Sequence, residues 1–189
     1  MKRYTEKKAA AVFNSILAES RYQAKKDDRK FWLSEPWENN AGYGVVLDGF
    51  RIIRNYSGIP AGISQIWTVK PWTRTEREEA KQNRGKIENF TIVSALREGY
   101  TETEAPTEDY IRENKHGYPV QLPGDGEKPY FNSKYLIDFI KIFPDAKWMI
   151  NPEKGYLSPV LVVSEHGDGY LLPVMTEKVL QWRREKKTV

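Results

Sequence analysis

One order of elements is written twice in this chain, once near each end, and that duplication narrows the fold more than any other feature. In the first copy Ala9, Val12, Phe13, Ile16, Leu17 and Ser20 recur at three- and four-residue spacing, which predicts an amphipathic helix over 5–24 with one buried stripe. Thr5 is placed to cap it. After a charged turn over 25–30, Phe31-Trp32-Leu33 reads as a strand stopped by Pro36. Residues 43–47 and 50–54 then read as two strands joined at Asp48-Gly49, a strong short hairpin signal. In the second copy Asn132 or Ser133 caps a helix to about residue 143, with Tyr135, Leu136, Phe139, Ile140 and Phe143 on its buried side. Lys134, Asp138 and Lys141 share the opposite side. Residues 147–153 read as a first strand and its stop, 157–164 as a second strand, 166–169 as a turn and 170–175 as a third strand. Pro159 and Pro173 cannot donate to a ladder, so these strands are expected to be edges or bulged there.

The pattern predicts an α+β fold, with antiparallel sheets and helices on one side. The 189 residues suit a single domain. Its parts are a first unit over 1–56, an inserted excursion over about 57–130, a second unit over 131–176 and a basic extension over 177–189. Inside the excursion, 65–69 and 89–95 read as strands and 73–83 as a polar helix. Residues 97–130 are acidic and rich in turn residues, and read as a long loop.

Composition removes most enzyme classes. The chain has 0 Cys, so it offers no thiolate nucleophile and no cysteine metal site. Its 2 His, His116 and His166, both precede glycine, as turn residues often do. HExxH, GxSxG and GxxxxGK are absent, and Gly42-Tyr43-Gly44 lacks the third glycine of a dinucleotide loop, because Leu47 stands there. No metal and no cofactor are expected. The best enzymatic candidates are Glu165 and Asp168 with His166, or Asp125 with Glu127, all in glycine-bearing turns where such residues are common for structural reasons. No apolar run approaches the ~20 residues of a membrane span, and no apolar leader follows Met1, so a cytoplasmic protein is expected.

Charge is segregated. Residues 1–30 carry nine Lys/Arg against four Asp/Glu, and 178–189 carry five against one, although the whole chain is only +4. Basic ends around an acidic middle fit a polyanionic partner. Trp32, Trp67 and Trp148 are expected in the core. Trp37, Trp72 and Trp182 are expected at interfaces, with Trp182, Arg183 and Arg184 docking the tail on its own domain.

Residues 131–140, Phe-Asn-Ser-Lys-Tyr-Leu-Ile-Asp-Phe-Ile, resemble a helix start in the last domain of the bacterial DNA sliding clamp, the beta subunit of the replicative polymerase. The likeness continues through Leu-Ser-Pro-Val-Leu-Val at 157–162 and Tyr-Leu-Leu-Pro-Val-Met at 170–175. The hairpin at 46–52 resembles the same family's Ala-Thr-Asp-Gly-His-Arg-Leu hairpin, with Leu47 for Thr and Phe50 for His. This resemblance implies a non-catalytic DNA-clamp-like protein of replication or repair, of the kind a phage or mobile element carries. By it, Lys7, Lys8, Lys134 and Lys141 would meet the phosphates of double-stranded DNA without reading bases. Phe50, Arg51, Ile52, Leu172, Pro173, Val174 and Met175 match the positions that bind polymerase and loader peptides in the family. The chain departs from the family in having room for one domain where a clamp subunit has three, so a closed ring would need a homo-oligomer of about six copies. It departs also in its excursion and its extension. The alternative is a protein-interaction module of clamp-like fold that binds replication proteins and does not encircle DNA.

Overall fold

The first helix begins where a hydroxyl can serve its open end. Thr5 Oγ1 accepts from the Lys8 amide at 3.3 Å, and α1 runs Glu6–Lys26 with the expected stripe buried and Ala10 added to it. The computed structural model describes residues 3–63, 72–89, 99–114 and 119–187.

Phe31-Trp32-Leu33 is not a strand. These residues close a 3-10 helix over Asp28–Leu33, whose start is capped by Asp27 accepting from the Arg29 amide at 3.2 Å. Three apolar residues behind a highly charged turn are too few to override that local hydrogen bonding. The first strand, β1, is Trp37–Glu38, and Trp37 is buried where Trp32 is only half-buried. Strands β2 (Gly44–Leu47) and β3 (Arg51–Asn55) form the predicted hairpin. Its two-residue loop is Gly49-Phe50, closed by the Asp48 amide donating to the Arg51 carbonyl at 3.2 Å. Gly49 has φ +89°, which the first loop position of such a turn needs.

The excursion is more ordered than a loop. It supplies α2 (Arg74–Asn89), β4 (Thr101–Thr103), α3 (Glu108–Glu113) and β5 (Pro119–Gln121). Strand β5 pairs with β6 (Tyr130–Asn132) in a small separate sheet, and Ile111, Val120 and Leu122 join the main core. The expected strand over 65–69, with Trp67, lies outside the described residues, as does all of 89–95 except Asn89, which ends α2.

The second unit opens with α4 (Ser133–Ile142), where Asn132 Oδ1 accepts from the Lys134 amide at 3.0 Å. Tyr135 and Ile140, expected inside, are half-buried, while Asp138, expected outside, is buried. Strand β7 is Lys147–Ile150. A 3-10 helix over Pro152–Leu157 then shortens the next strand, so β8 is Val160–Ser164 and Pro159 stands just before it. The hairpin turn is Glu165-His166, not 166–169, because Gly167 already pairs with Ser164. Strand β9 is Gly167–Leu171, ending before Pro173. The glycines taken for turn residues serve the packing of α4. A Cβ on Gly169 would lie 2.1 Å from the Phe139 ring, and one on Gly167 would lie 2.7 Å from the Phe143 ring. The prolines flank their strands, so β8 and β9 are neither edges nor bulged at them.

All seven strands of the main sheet are antiparallel, in the order β1-β2-β3-β9-β8-β7-β4. The two units join edge to edge at β3 and β9, with Ile53 opposite Gly169. One face carries both long core helices: Phe13, Ile16 and Leu17 of α1 and Leu136, Phe139 and Ile142 of α4 pack with Val46, Ile53, Trp148, Val160 and Val162. Tyr100 and Leu161, with Met149, Val163 and Tyr170, cluster separately. The chain ends in α5 (Glu177–Lys187), docked as expected, with Val179 buried and the Trp182 ring edge-on to Tyr156 at 5.6 Å. Among the described residues no helix is long and apolar enough to cross a membrane.

Candidate nucleic-acid interface

Because β3 pairs with β9, the helices that precede each unit lie side by side on the sheet. A groove of about 640 Å³ runs between them. Helix α1 contributes Lys8, Ala11, Val12 and Ser15, the spacing of one helix face; α4 contributes Ser133, Lys134, Ile137, Asp138 and Lys141. Three of the four lysines singled out by the sequence therefore meet around one concavity. Lys134 and Lys141 are exposed, and Lys8 is half-buried with Nζ donating to the Arg3 carbonyl at 3.0 Å. Lys7 is exposed but lies about 100° round the helix from Lys8 and does not line the groove.

The acid in the groove is paired from beneath with a cation it shares with Asp48. Asp138 accepts from Arg51 Nη1 at 2.5 Å, and Ser15 Oγ donates to the same oxygen at 3.4 Å. Arg51 Nε meets Asp48 at 2.8 Å, and Asp48 Oδ1 accepts from the amides of Phe50 and Arg51 at 3.0 Å each. The guanidinium lies 4.0 Å over the Tyr135 ring. Burial, reinforced by the Asp48 charge, pushes the Tyr135 phenol up to about 12. Arg51 is thus 1% exposed, and its place is the interior and not the surface pocket for which its neighbours were proposed. Sequence reasoning missed Asp138 as its partner, because the helix periodicity places Asp138 on the outward side with Lys134 and Lys141.

Of the remaining residues of the expected peptide pocket, Phe50 and Leu172 meet at one end of β3 and β9, while the Val174 amide turns to the Tyr130 carbonyl at 2.7 Å. The Leu172 amide donates to the Phe50 carbonyl at 2.9 Å. Phe50, Leu172 and Met175 are 46%, 42% and 42% exposed, while Ile52, Pro173 and Val174 are half-buried. The Phe50 ring stacks near Tyr135 at 6.5 Å.

The enzymatic candidates are dispersed. Asp168 is engaged by Arg54, Nε at 2.7 Å with a second contact from Nη2, and by the Tyr56 hydroxyl at 2.8 Å. Burial and the Asp168 charge raise the Tyr56 phenol. Glu165 and His166 sit instead at the exposed β8–β9 turn, 3.2 Å apart, with Asp145 near them and the His166 ring stacked on Tyr4 at 4.4 Å. Asp125 and Glu127 are exposed in the turn between β5 and β6.

Set against family models, curated proteins and solved structures, the chain matches none of them.

Proposed function

We propose that this is a non-catalytic protein of DNA replication or repair that holds the backbone of double-stranded DNA against the α1–α4 face. The observation that carries the reading is the convergence of Lys8, Lys134 and Lys141, from helices far apart in sequence, on one groove whose single acid, Asp138, pairs inward with Arg51. Lysines on such a face attract phosphates, contacts that position a duplex without reading its sequence. The two helices together carry seven Lys/Arg against three Asp/Glu, so the neighbourhood is basic as well.

Three phosphate contacts predict a log–log salt slope near −2.7, or roughly a 40-fold loss of affinity between 50 and 200 mM salt. Fluorescence anisotropy with two labelled duplexes of unrelated sequence tests this. The two should bind alike, and a Lys8→Gln/Lys134→Gln/Lys141→Gln variant should lose most of the slope. Duplex binding that ignores salt, or an unchanged triple variant, overturns the reading. Encirclement would in addition require assembly, which light scattering with and without duplex measures directly.

The exposed Phe50 and Leu172, joined by a backbone hydrogen bond, favour a second reading, a module that docks an apolar peptide of a replication protein at that end of the sheet. Such binding would weaken little with salt and would fall on Phe50→Ser while surviving the lysine variant.

A further inference from the structure

Helix α2 is poorly equipped to pack. Among its described side chains Ala80 is the buried apolar one, and most of the rest are charged. Its N-terminus is nevertheless well made: the Glu76 amide donates to Thr73 Oγ1 at 3.2 Å and the Thr73 amide donates to Glu76 Oε2 at 2.6 Å, a reciprocal capping box. What ties it to the body is Arg84, whose guanidinium lies between the Trp37 and Trp72 rings at 4.9 and 5.0 Å. Arg84 Nη2 also donates to the Trp32 and Glu35 carbonyls at 3.0 and 3.3 Å. The Phe31 ring stands edge-on against Trp72 at 5.4 Å, and Arg77 Nε holds the Trp72 carbonyl at 3.1 Å.

Arg74, Arg77, Lys81 and Arg84 follow at spacings of three, four and three residues along one side of the helix. Glu78, four residues after Arg74 and three before Lys81, borders that line, while Glu76 and Glu79 lie away from it. Arg77, Lys81 and Arg84 thus present their charge on neighbouring turns toward one concavity. The line borders a pocket of about 530 Å³ whose wall includes Arg77, Lys81, Arg84, Trp37 and Trp72, with Glu38 as its one acid. The Glu38 carboxylate is directed toward Gly58. Gly85 adds open space, since a Cβ there would meet nothing within 4 Å.

We propose that this pocket is a phosphate-binding site, taking the phosphate groups of a nucleotide, either free or within a single strand. Arg84, held by two aromatic rings and two carbonyls, is a fixed positive wall, and Arg77 and Lys81, exposed on successive turns, close on the phosphate oxygens. The site lies on different elements from the α1–α4 groove and stands or falls separately from the duplex-binding reading.

Calorimetric titration of the whole chain with inorganic pyrophosphate, thymidine monophosphate and a short oligo-dT tests it, with tryptophan emission as a second readout because Trp37 and Trp72 line the pocket. Saturable binding should weaken about tenfold or more in Arg77→Gln/Lys81→Gln. It should weaken likewise in Gly85→Phe, which fills the space without changing charge. The Lys8→Gln/Lys134→Gln/Lys141→Gln variant should titrate as the wild type does. Tighter binding of oligo-dT than of pyrophosphate assigns the phosphates to a strand, and the reverse assigns them to a free nucleotide. No saturable response to any probe up to about 10 mM, or an Arg77→Gln/Lys81→Gln protein that binds like the wild type, overturns the proposal.

Discussion

Replacing Arg51 by methionine should cost far more than replacing Asp138 by asparagine, although both changes break the same ion pair. The Arg51 side chain is wholly out of water and serves two carboxylates, Asp48 at 2.8 Å and Asp138 at 2.5 Å. Methionine keeps much of the volume but strands both acids, which are 1% and 7% exposed. Deleting one partner of a buried pair costs about 3–5 kcal/mol, because an uncompensated charge is left behind. Asp48 retains two backbone donors, and Asp138 borders the open groove, so Arg51→Met belongs near the lower end, about 3–4 kcal/mol. Asp138→Asn keeps the shape and leaves Arg51 its Asp48 counter-ion, exchanging one charge-assisted hydrogen bond for a weaker one at about 1–2 kcal/mol. A domain of ordinary stability, about 5–15 kcal/mol, survives the second change easily and the first narrowly. Urea unfolding followed by circular dichroism gives both values. The reverse ranking, or an Arg51→Met protein within about 1 kcal/mol of the wild type, would refute the claim that this guanidinium ties the hairpin to α4. Asp138→Asn should also bind duplex DNA at least as well as the wild type, since it removes an acid from the groove.

Three further outcomes follow from the packing. Gly169→Ala places a methyl 2.1 Å from the Phe139 ring and 2.9 Å from the Ile52 carbonyl, and should cost about 1–3 kcal/mol. Phe139→Leu in the same chain should recover part of that loss in a double-mutant cycle. The Tyr135 phenol is raised from 10.0 to about 12 by burial and then by the Asp48 charge, so the unfolded chain ionises first as pH rises. Its stabilising contribution is full below pH 10 and is lost by about pH 12; melting temperature against pH should therefore fall less steeply across that window in Tyr135→Phe. Trp182→Ala removes the edge contact to Tyr156 and should cost about 1 kcal/mol, with faster tryptic cutting at Arg183 and Arg184 as the tail loosens.

Parts of this structure were legible because they rest on local rules. Thr5 and Asn132 cap their helices, the α1 stripe is buried, and Asp48-Gly49 starts a tight hairpin, each for reasons contained within a few residues. The errors arise where a distant neighbour decides. Gly167 and Gly169 have turn composition, yet they are strand residues because Phe143 and Phe139, from another element, occupy the space their side chains would need. Asp138 has the periodicity of an outward position, and is drawn inward by an arginine 87 residues earlier. The polar helix expected over 73–83 stops short of Arg84, whose place is set by the distant Trp37 ring.

The same dependence governs the candidate interface. Each helix could be predicted from its own residues, but neither predicts a groove. That concavity exists because β3 pairs with β9, a joint strengthened across strands by Arg54 and Asp168, 114 residues apart. Ile53 can face Gly169 there because the glycine leaves room for Phe139, which seats α4 low on the sheet beside α1. Lysines at positions 8, 134 and 141 then border one surface as a consequence of how the core closes. On the proposed duplex-binding reading, a change at Gly169 that lifts α4 should therefore weaken duplex binding as well as stability with no groove lysine altered, whereas a lysine-to-glutamine change should weaken binding and leave stability as it is.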